Sequence, residues 1–277
     1  MEPSKAHMKN LQSRQCLSAR ILGVRVDLVD YDTTAALIKE CISQHSSGHY
    51  ICACPVYPIM ISQRDKELKK ALDNSWLTVP DGMPVVWAIK LLGASITNSV
   101  RGTNLMLRSC GMAESHGYSI FLYGGKPRTL KKLEGNLLKR FPRLRISGAY
   151  SPPFQKNFSE ENTRIIEMIN LASPDILFIG LGAPKQEKWM ANHCQMTKVP
   201  ITIGVGAAFD FLSGEKKQAP AWMQARGLEW LFRLLSEPTR LWARYIIYNP
   251  LFVLLFLGQL IGSRLQVRRR RGSRIKR

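Results

Sequence analysis

The feature that most constrains this chain is a repeated alternation of short apolar runs with helical patterns. Strands are predicted at residues 21–26, 50–54, 76–79, 119–123, 144–147, 175–179 and 201–205. Helices are predicted between them, at 33–46, 58–72, 83–92, 103–115, 128–140, 160–171 and 185–193. Short apolar strands that alternate with longer helices make βαβ units and a mostly parallel sheet. The strands are almost continuously apolar, as expected where helices cover both faces of such a sheet. The expected class is therefore α/β, a Rossmann-like parallel sheet with a helical C-terminal appendage. No internal repeat is visible.

The pattern changes near Gly214. Residues 1–18 read as a flexible N-terminus, 19–213 as the α/β body, and 214–248 as a helical appendage interrupted at Pro238. Residues 249–277 read as an apolar and then basic tail. A chain of 277 residues, 45% of them hydrophobic, is long enough to bury one sizeable core. No apolar run follows Lys5 and Lys9, so no signal peptide is expected. The longest apolar stretch, 251–262, contains Gln259 and falls short of the roughly 20 residues a spanning helix needs. The tail is expected to lie on a membrane without crossing it.

Charge narrows the class of partner. The net charge is +20, from 40 basic and 20 acidic residues. Ten of the basic residues and no Asp or Glu lie between Arg240 and Arg277. Half of the net charge thus belongs to a tail that directly follows an apolar stretch. This pattern suits an anionic membrane surface better than nucleic acid, for which no binding motif is present. The six cysteines form no CxxC pair and read as reduced, mostly buried thiols, with no zinc site.

In an open parallel sheet, ligands bind beyond the carboxyl ends of the strands. Four predicted strand ends carry suitable chemistry: Pro80-Asp81-Gly82; Gly124-Gly125-Lys126-Pro127; Gly180 through Trp189; and Gly206-Ala207-Ala208-Phe209-Asp210. Glycine lets a backbone approach a phosphate, and a following helix N-terminus favours the negative charge. The spacing matches neither GxGxxG nor the Walker pattern, so an ordinary dinucleotide or ATP enzyme is disfavoured.

Taken together, these segments resemble the WecG/TagA/CpsF glycosyltransferase family. The matching passages are PDGMPVVWAIKLLG (80–93), RGTNLM (101–106), FLYGGKP (121–127), PDILFIGLGAPKQEKW (174–189), IGVGAAFDFLSG (203–214) and APAWMQARGLEWLFRLLSEPTRLWARY (219–245). The resemblance implies an inverting transfer from a UDP-sugar without a metal or other cofactor. It also implies a saccharide on undecaprenyl diphosphate as acceptor, in cell-wall, surface-antigen or exopolysaccharide synthesis. The expected setting is the cytoplasmic face of a bacterial inner membrane, with further copies of the chain as partners away from it.

The resemblance places the general base on Asp81, which would otherwise read as a helix N-cap. A helix N-terminus lowers a carboxylate's pKa, which weakens it as a base unless burial offsets the dipole. Gln186 falls on a sugar- or acceptor-binding position, and its neighbours Lys185, Glu187 and Lys188 read as a solvated charged run. Gly124, Gly125, Lys126 and Gly182 are candidate diphosphate contacts, and Asp210 a capping or orienting residue. Arg233, Arg240 and Arg244 lie close to one helix line, where their forked guanidinium groups would suit paired phosphate oxygens. The chain departs from the family at three positions: Pro55 replaces a common Asn, Ser99 a common Arg, and Asn104 the usual Asp. Arg101 is read as a substitute for the missing Arg. These changes leave open a catalytically impaired member acting as a membrane scaffold.

Overall fold

The structure is a computed structural model that describes residues 16–96, 98–153 and 158–274, with side chains to 263 in the last helix. The expected flexible segment 1–18 therefore lies almost entirely outside the described residues. Two strands open the fold, β1 (Ser18–Ile21) and β2 (Val24–Asp27), paired antiparallel. Here the single predicted strand 21–26 is corrected to a hairpin. Leu22 and Gly23 both take positive φ, 48° and 78°, which reverses the chain within two residues.

The main sheet follows as α1 (Tyr31–Ser43), β3 (His49–Cys54), α2 (Val56–Ser62), α3 (Lys66–Asp73), β4 (Leu77–Pro80), α4 (Met83–Leu91), α5 (Gly102–His116) and β5 (Ser119–Gly124). It continues through α6 (Pro127–Arg140), β6 (Arg145–Tyr150), α7 (Phe158–Ala172), β7 (Ile176–Gly180), α8 (Lys185–His193), β8 (Ile201–Gly204) and α9 (Ala208–Leu212). Its six strands run in the order β4-β3-β8-β7-β5-β6, all parallel. The predicted helix 58–72 is two helices, because Asp65 accepts the Leu68 N–H at 2.9 Å and caps a new start.

Alternate residues of the strands β3, β5 and β7 feed two cores. Tyr50, Cys52 and Cys54 of β3 join Phe121, Tyr123, Leu177 and Ile179 on one face, under α2, α3, α4, α7 and α8. Ile51 and Ala53 join Ile120, Leu122, Ile176 and Phe178 on the other, under α1, α5, α6 and α9. This is the helix-covered parallel sheet the sequence pattern implies. No disulfide joins the cysteines among the described residues, and five of the six are buried.

Beyond α9 the chain is helical: α10 (Ala221–Ala225), α11 (Glu229–Ser236), α12 (Pro238–Trp242), a π-helical turn (Ala243–Ile247) and α13 (Tyr248–Arg274). The π-helical turn precedes Pro250, whose missing N–H cannot complete an α-helical ladder. The helix from Pro238 to Ser263 is continuous, and by length and composition alone it is long and apolar enough to cross a bilayer. That corrects the expectation of an apolar stretch too short to do so, because the turns before residue 251 extend the same helix.

One side of this helix nevertheless belongs to the body. Phe252, Phe256 and Leu260 are buried in the first core. Gln259, which interrupts the apolar run in sequence, clamps the helix to the hairpin. Its Oε1 accepts the Leu22 N–H and its Nε2 donates to the Arg20 carbonyl, both at 2.7 Å. Val253, Leu254, Leu257 and Ile261 are exposed.

Candidate active site

A cavity of about 560 Å³ opens over the carboxyl ends of four adjacent strands and is roofed by the helices after α10. Ala53 and Pro55 line it at the end of β3, Asp81 just after β4, Gly180 to Ala183 at the end of β7, and Gly204 to Ala208 at the end of β8. From the appendage come Glu229, Arg233, Arg240 and Arg244. Residues far apart in sequence meet here because every strand of a parallel sheet ends on the same side.

Asp81 stands half-buried between β4 and α4. The N-cap of α4 is Gly82, with φ 83°, so Asp81 is not the cap and its carboxyl is free to face the cavity. Burial pushes its pKa up to about 7, and the Glu229 carboxylate adds to the shift against the pull of Arg233, Arg101 and Arg244. Desolvation thus outweighs the helix terminus, and the group changes charge near neutrality. Ser99 supports this turn by accepting the Gly82 N–H at 2.7 Å.

Three arginines converge from the appendage. Arg244 lies over the Tyr57 ring at 4.7 Å and Arg233 over Phe211 at 5.5 Å. The Nε atoms of both are buried without a hydrogen-bond partner. Burial also lowers the pKa of Arg244. Desolvated cations with open donors favour an incoming anion. Arg240 is more exposed and pairs with Glu237 at 2.8 Å. Asp210 is held by Lys216 at 2.7 Å, and Lys216 reaches on to Glu237 at 3.1 Å, linking body to appendage.

Arg101 lines the same cavity but is engaged by the appendage. Its guanidinium bonds the Gln224 side chain and, at 3.0 Å, the Gln224 carbonyl, and lies 3.5 Å from Glu229. Its backbone N–H donates to the Tyr31 hydroxyl, beside Asn104. Gly182 is at the cavity wall with open space around it. Gly124, Gly125 and Lys126, at the end of β5 one strand further along the sheet, are not among the lining residues. Gly124 instead permits close strand packing, since a Cβ there would come 2.6 Å from the Gly180 backbone.

The charged run on α8 is solvated only in part: Lys185 is exposed, but its neighbours turn inward or are paired. Glu187 is 0% exposed and Gln186 3%. Lys188 is tied to Asp65 and Glu67 at 2.8 Å each. The inward turn of Glu187 is the feature that sequence reasoning misses, because the charged neighbours Lys185 and Lys188 mask it. Among the described residues, no group of three or more His, Cys, Asp or Glu is placed to hold a metal ion.

A carboxyl poised near neutrality opposite desolvated guanidinium groups, on an α/β sheet, has the layout of a transferase that handles anionic substrates. Residues 19–266 match the Glycosyl transferase WecG/TagA/CpsF family. The chain belongs to that family and is a glycosyltransferase. It is 31% identical over 183 residues to the N-acetylglucosaminyldiphosphoundecaprenol N-acetyl-beta-D-mannosaminyltransferase of Bacillus subtilis (strain 168), covering 66% of this chain and 69% of the relative. A protein of the same description from Bacillus spizizenii is 27% identical over 225 residues, covering 80% of this chain and 85% of the relative.

Proposed function

We propose that this chain transfers a sugar from a UDP-sugar to a saccharide carried on undecaprenyl diphosphate, with inversion at the anomeric carbon. The observation that carries the reading is the cavity itself, where Asp81 faces Arg233, Arg240 and Arg244. Both relatives are described as acting on an N-acetylglucosaminyl diphosphoundecaprenol, and a lipid diphosphate suits the same basic lining. In this mechanism the Asp81 carboxylate takes the proton of an acceptor hydroxyl. The acceptor oxygen attacks the anomeric carbon of the donor. The bond from that carbon to the nucleotide diphosphate breaks, and its electron pair leaves with the diphosphate. The three arginines balance the charge that develops there, a task that in other transferases falls to a divalent ion.

The appendage, 214–248, completes the site by supplying those arginines, and the tail presents it to the cytoplasmic leaflet of a bacterial inner membrane. Support for the second part is the two-sided character of α13, packed on the body along Phe252, Phe256 and Leu260 and apolar on its exposed side. A helix clamped at Gln259 lies on a bilayer more readily than it crosses one, and the eight basic residues of 264–277 add attraction to anionic lipid. The test is a donor screen. Purified protein is given a panel of UDP-sugars with short-chain lipid-diphosphate N-acetylglucosamine, and products are read by mass spectrometry. Acceptor mass rising by one glycosyl unit with one donor is the expected result. No transfer from any UDP-sugar overturns the reading.

A further inference from the structure

Gln186 and Glu187, adjacent on the first turn of α8, line the cavity but have no task in the mechanism above. Gln186 Nε2 donates to Glu187 Oε1 at 2.9 Å. Gln186 Oε1 and Glu187 Oε2 are both buried without a hydrogen-bond partner. Glycine makes room for the carboxamide. A Cβ on Gly204 would stand 3.1 Å from Gln186 Nε2, and one on Gly206 would stand 3.6 Å from Oε1.

The two ends of a carboxamide have nearly the same shape and opposite hydrogen-bonding character. A neutral pocket would accept either orientation, whereas a carboxylate only accepts and so draws the N–H end toward itself. Glu187 therefore leaves the oxygen of Gln186 as the free end. A buried acceptor without a donor is costly, and a sugar hydroxyl supplies that donor. The other groups around Glu187 do not compete for the amide. Cys52 and Cys54 on β3 are thiols whose pKa values burial drives far up, leaving them neutral. Burial pushes the Glu187 pKa up to about 7, while the Gln186 hydrogen bond and the Arg244 charge lower it. Above that pH Glu187 is the carboxylate that only accepts.

We propose that Glu187 is a positioning residue that fixes the Gln186 carboxamide with its oxygen presented to a hydroxyl of the bound sugar. The fixed amide is a property of the free protein, and only the sugar contact rests on the transferase reading.

The experiment has two arms, each using Glu187→Gln, which removes a buried ionisable group at nearly constant volume. The first arm follows the side-chain amide of Gln186 by NMR at pH 8, where Glu187 is ionised, in ¹⁵N-glutamine-labelled protein without substrate, its resonance identified by its loss in Gln186→Ala. Amide-proton exchange is expected to accelerate about 10-fold or more in Glu187→Gln, as one charge-assisted hydrogen bond is lost. An unchanged resonance and exchange rate overturns the positioning role whatever the activity. The second arm is kinetic. KM for the sugar is expected to rise about 10-fold with kcat within about 2-fold, and Glu187→Gln should change KM by less than about 2-fold in a Gln186→Ala background, since coupled residues are not additive. A loss confined to kcat, or additive effects of the two substitutions, overturns the sugar contact. If wild-type protein transfers no sugar while the first arm gives its expected result, the transferase reading fails and the positioning role stands.

Discussion

Asp81 sits where two opposing effects meet, a helix terminus that favours its charge and a cavity that disfavours it. Burial wins, with a pKa of about 7, and two consequences follow. With Asp81 as the proposed base, activity needs the ionised form, so kcat should rise with pH through about 7 and then level off. Asp81→Asn should lower kcat by roughly 100-fold or more and abolish that rise, as loss of a general base does. Near-normal kcat in the Asn variant would place the base elsewhere. Stability runs the other way. The folded protein binds this proton more tightly than the unfolded chain, where a carboxyl titrates near about 3.9. The associated stability is present at low pH and is lost as pH rises through the folded value. Asp81→Asn should therefore exceed wild type in Tm by most at pH 8, with the gap shrinking toward pH 4, as read by calorimetry. The place of Asp81 at a strand end was legible in the sequence, while its proposed role as base came from the family resemblance. The place of Glu187 was not legible, because its burial is imposed by the sheet beneath α8 and its sequence neighbours are charged.

At the scale of elements, the sheet was legible because its strands are almost wholly apolar and its helices are punctuated by Pro84, Pro127 and Gly117. The β1–β2 hairpin was not, since a Leu-Gly turn lacks the Asn or Asp that usually marks a two-residue reversal. Nor does sequence separate glycines that bind from glycines that pack. Gly180 is of the packing kind on its Phe209 side, where a Cβ would fall 2.5 Å from the ring. Gly180→Ala should cost about 1–3 kcal/mol by overpacking, seen as a lowered urea midpoint, and an unchanged midpoint would contradict the packing. Arg101 also has a task that no motif reveals. Because it joins β4's side of the body to Gln224 and Glu229, Arg101→Ala should loosen the appendage. Limited proteolysis should then cut within residues 214–248 sooner than in wild type, while equal cleavage rates would remove Arg101 as the tie.

For the whole molecule, the two sides of α13 predict how it meets a membrane. Removing residues 264–277 takes away eight basic charges and leaves the packed helix in place. Binding to anionic vesicles should weaken and lose its salt dependence, because each nearby Lys or Arg contributes about 1 kcal/mol at an anionic surface. Replacing Leu254, Leu257 and Ile261 with serine in that truncated form should release the remainder, whereas undiminished co-sedimentation would mean the helix is not the anchor. Gln259 interrupts the apolar run in sequence, and its part as a clamp on the hairpin appears only in three dimensions.

The central claim joins these scales: Asp81 and the appendage arginines carry out an inverting transfer onto a lipid-linked sugar. The most direct measurement is the anomeric configuration of the product, determined by NMR on a short-chain lipid-diphosphate acceptor after incubation in EDTA with a UDP-α-linked donor. The account predicts a β-linked product from the wild-type protein, undiminished by the chelator, and none above background from Asp81→Asn. An α-linked product, or transfer that needs added Mn²⁺, would contradict it.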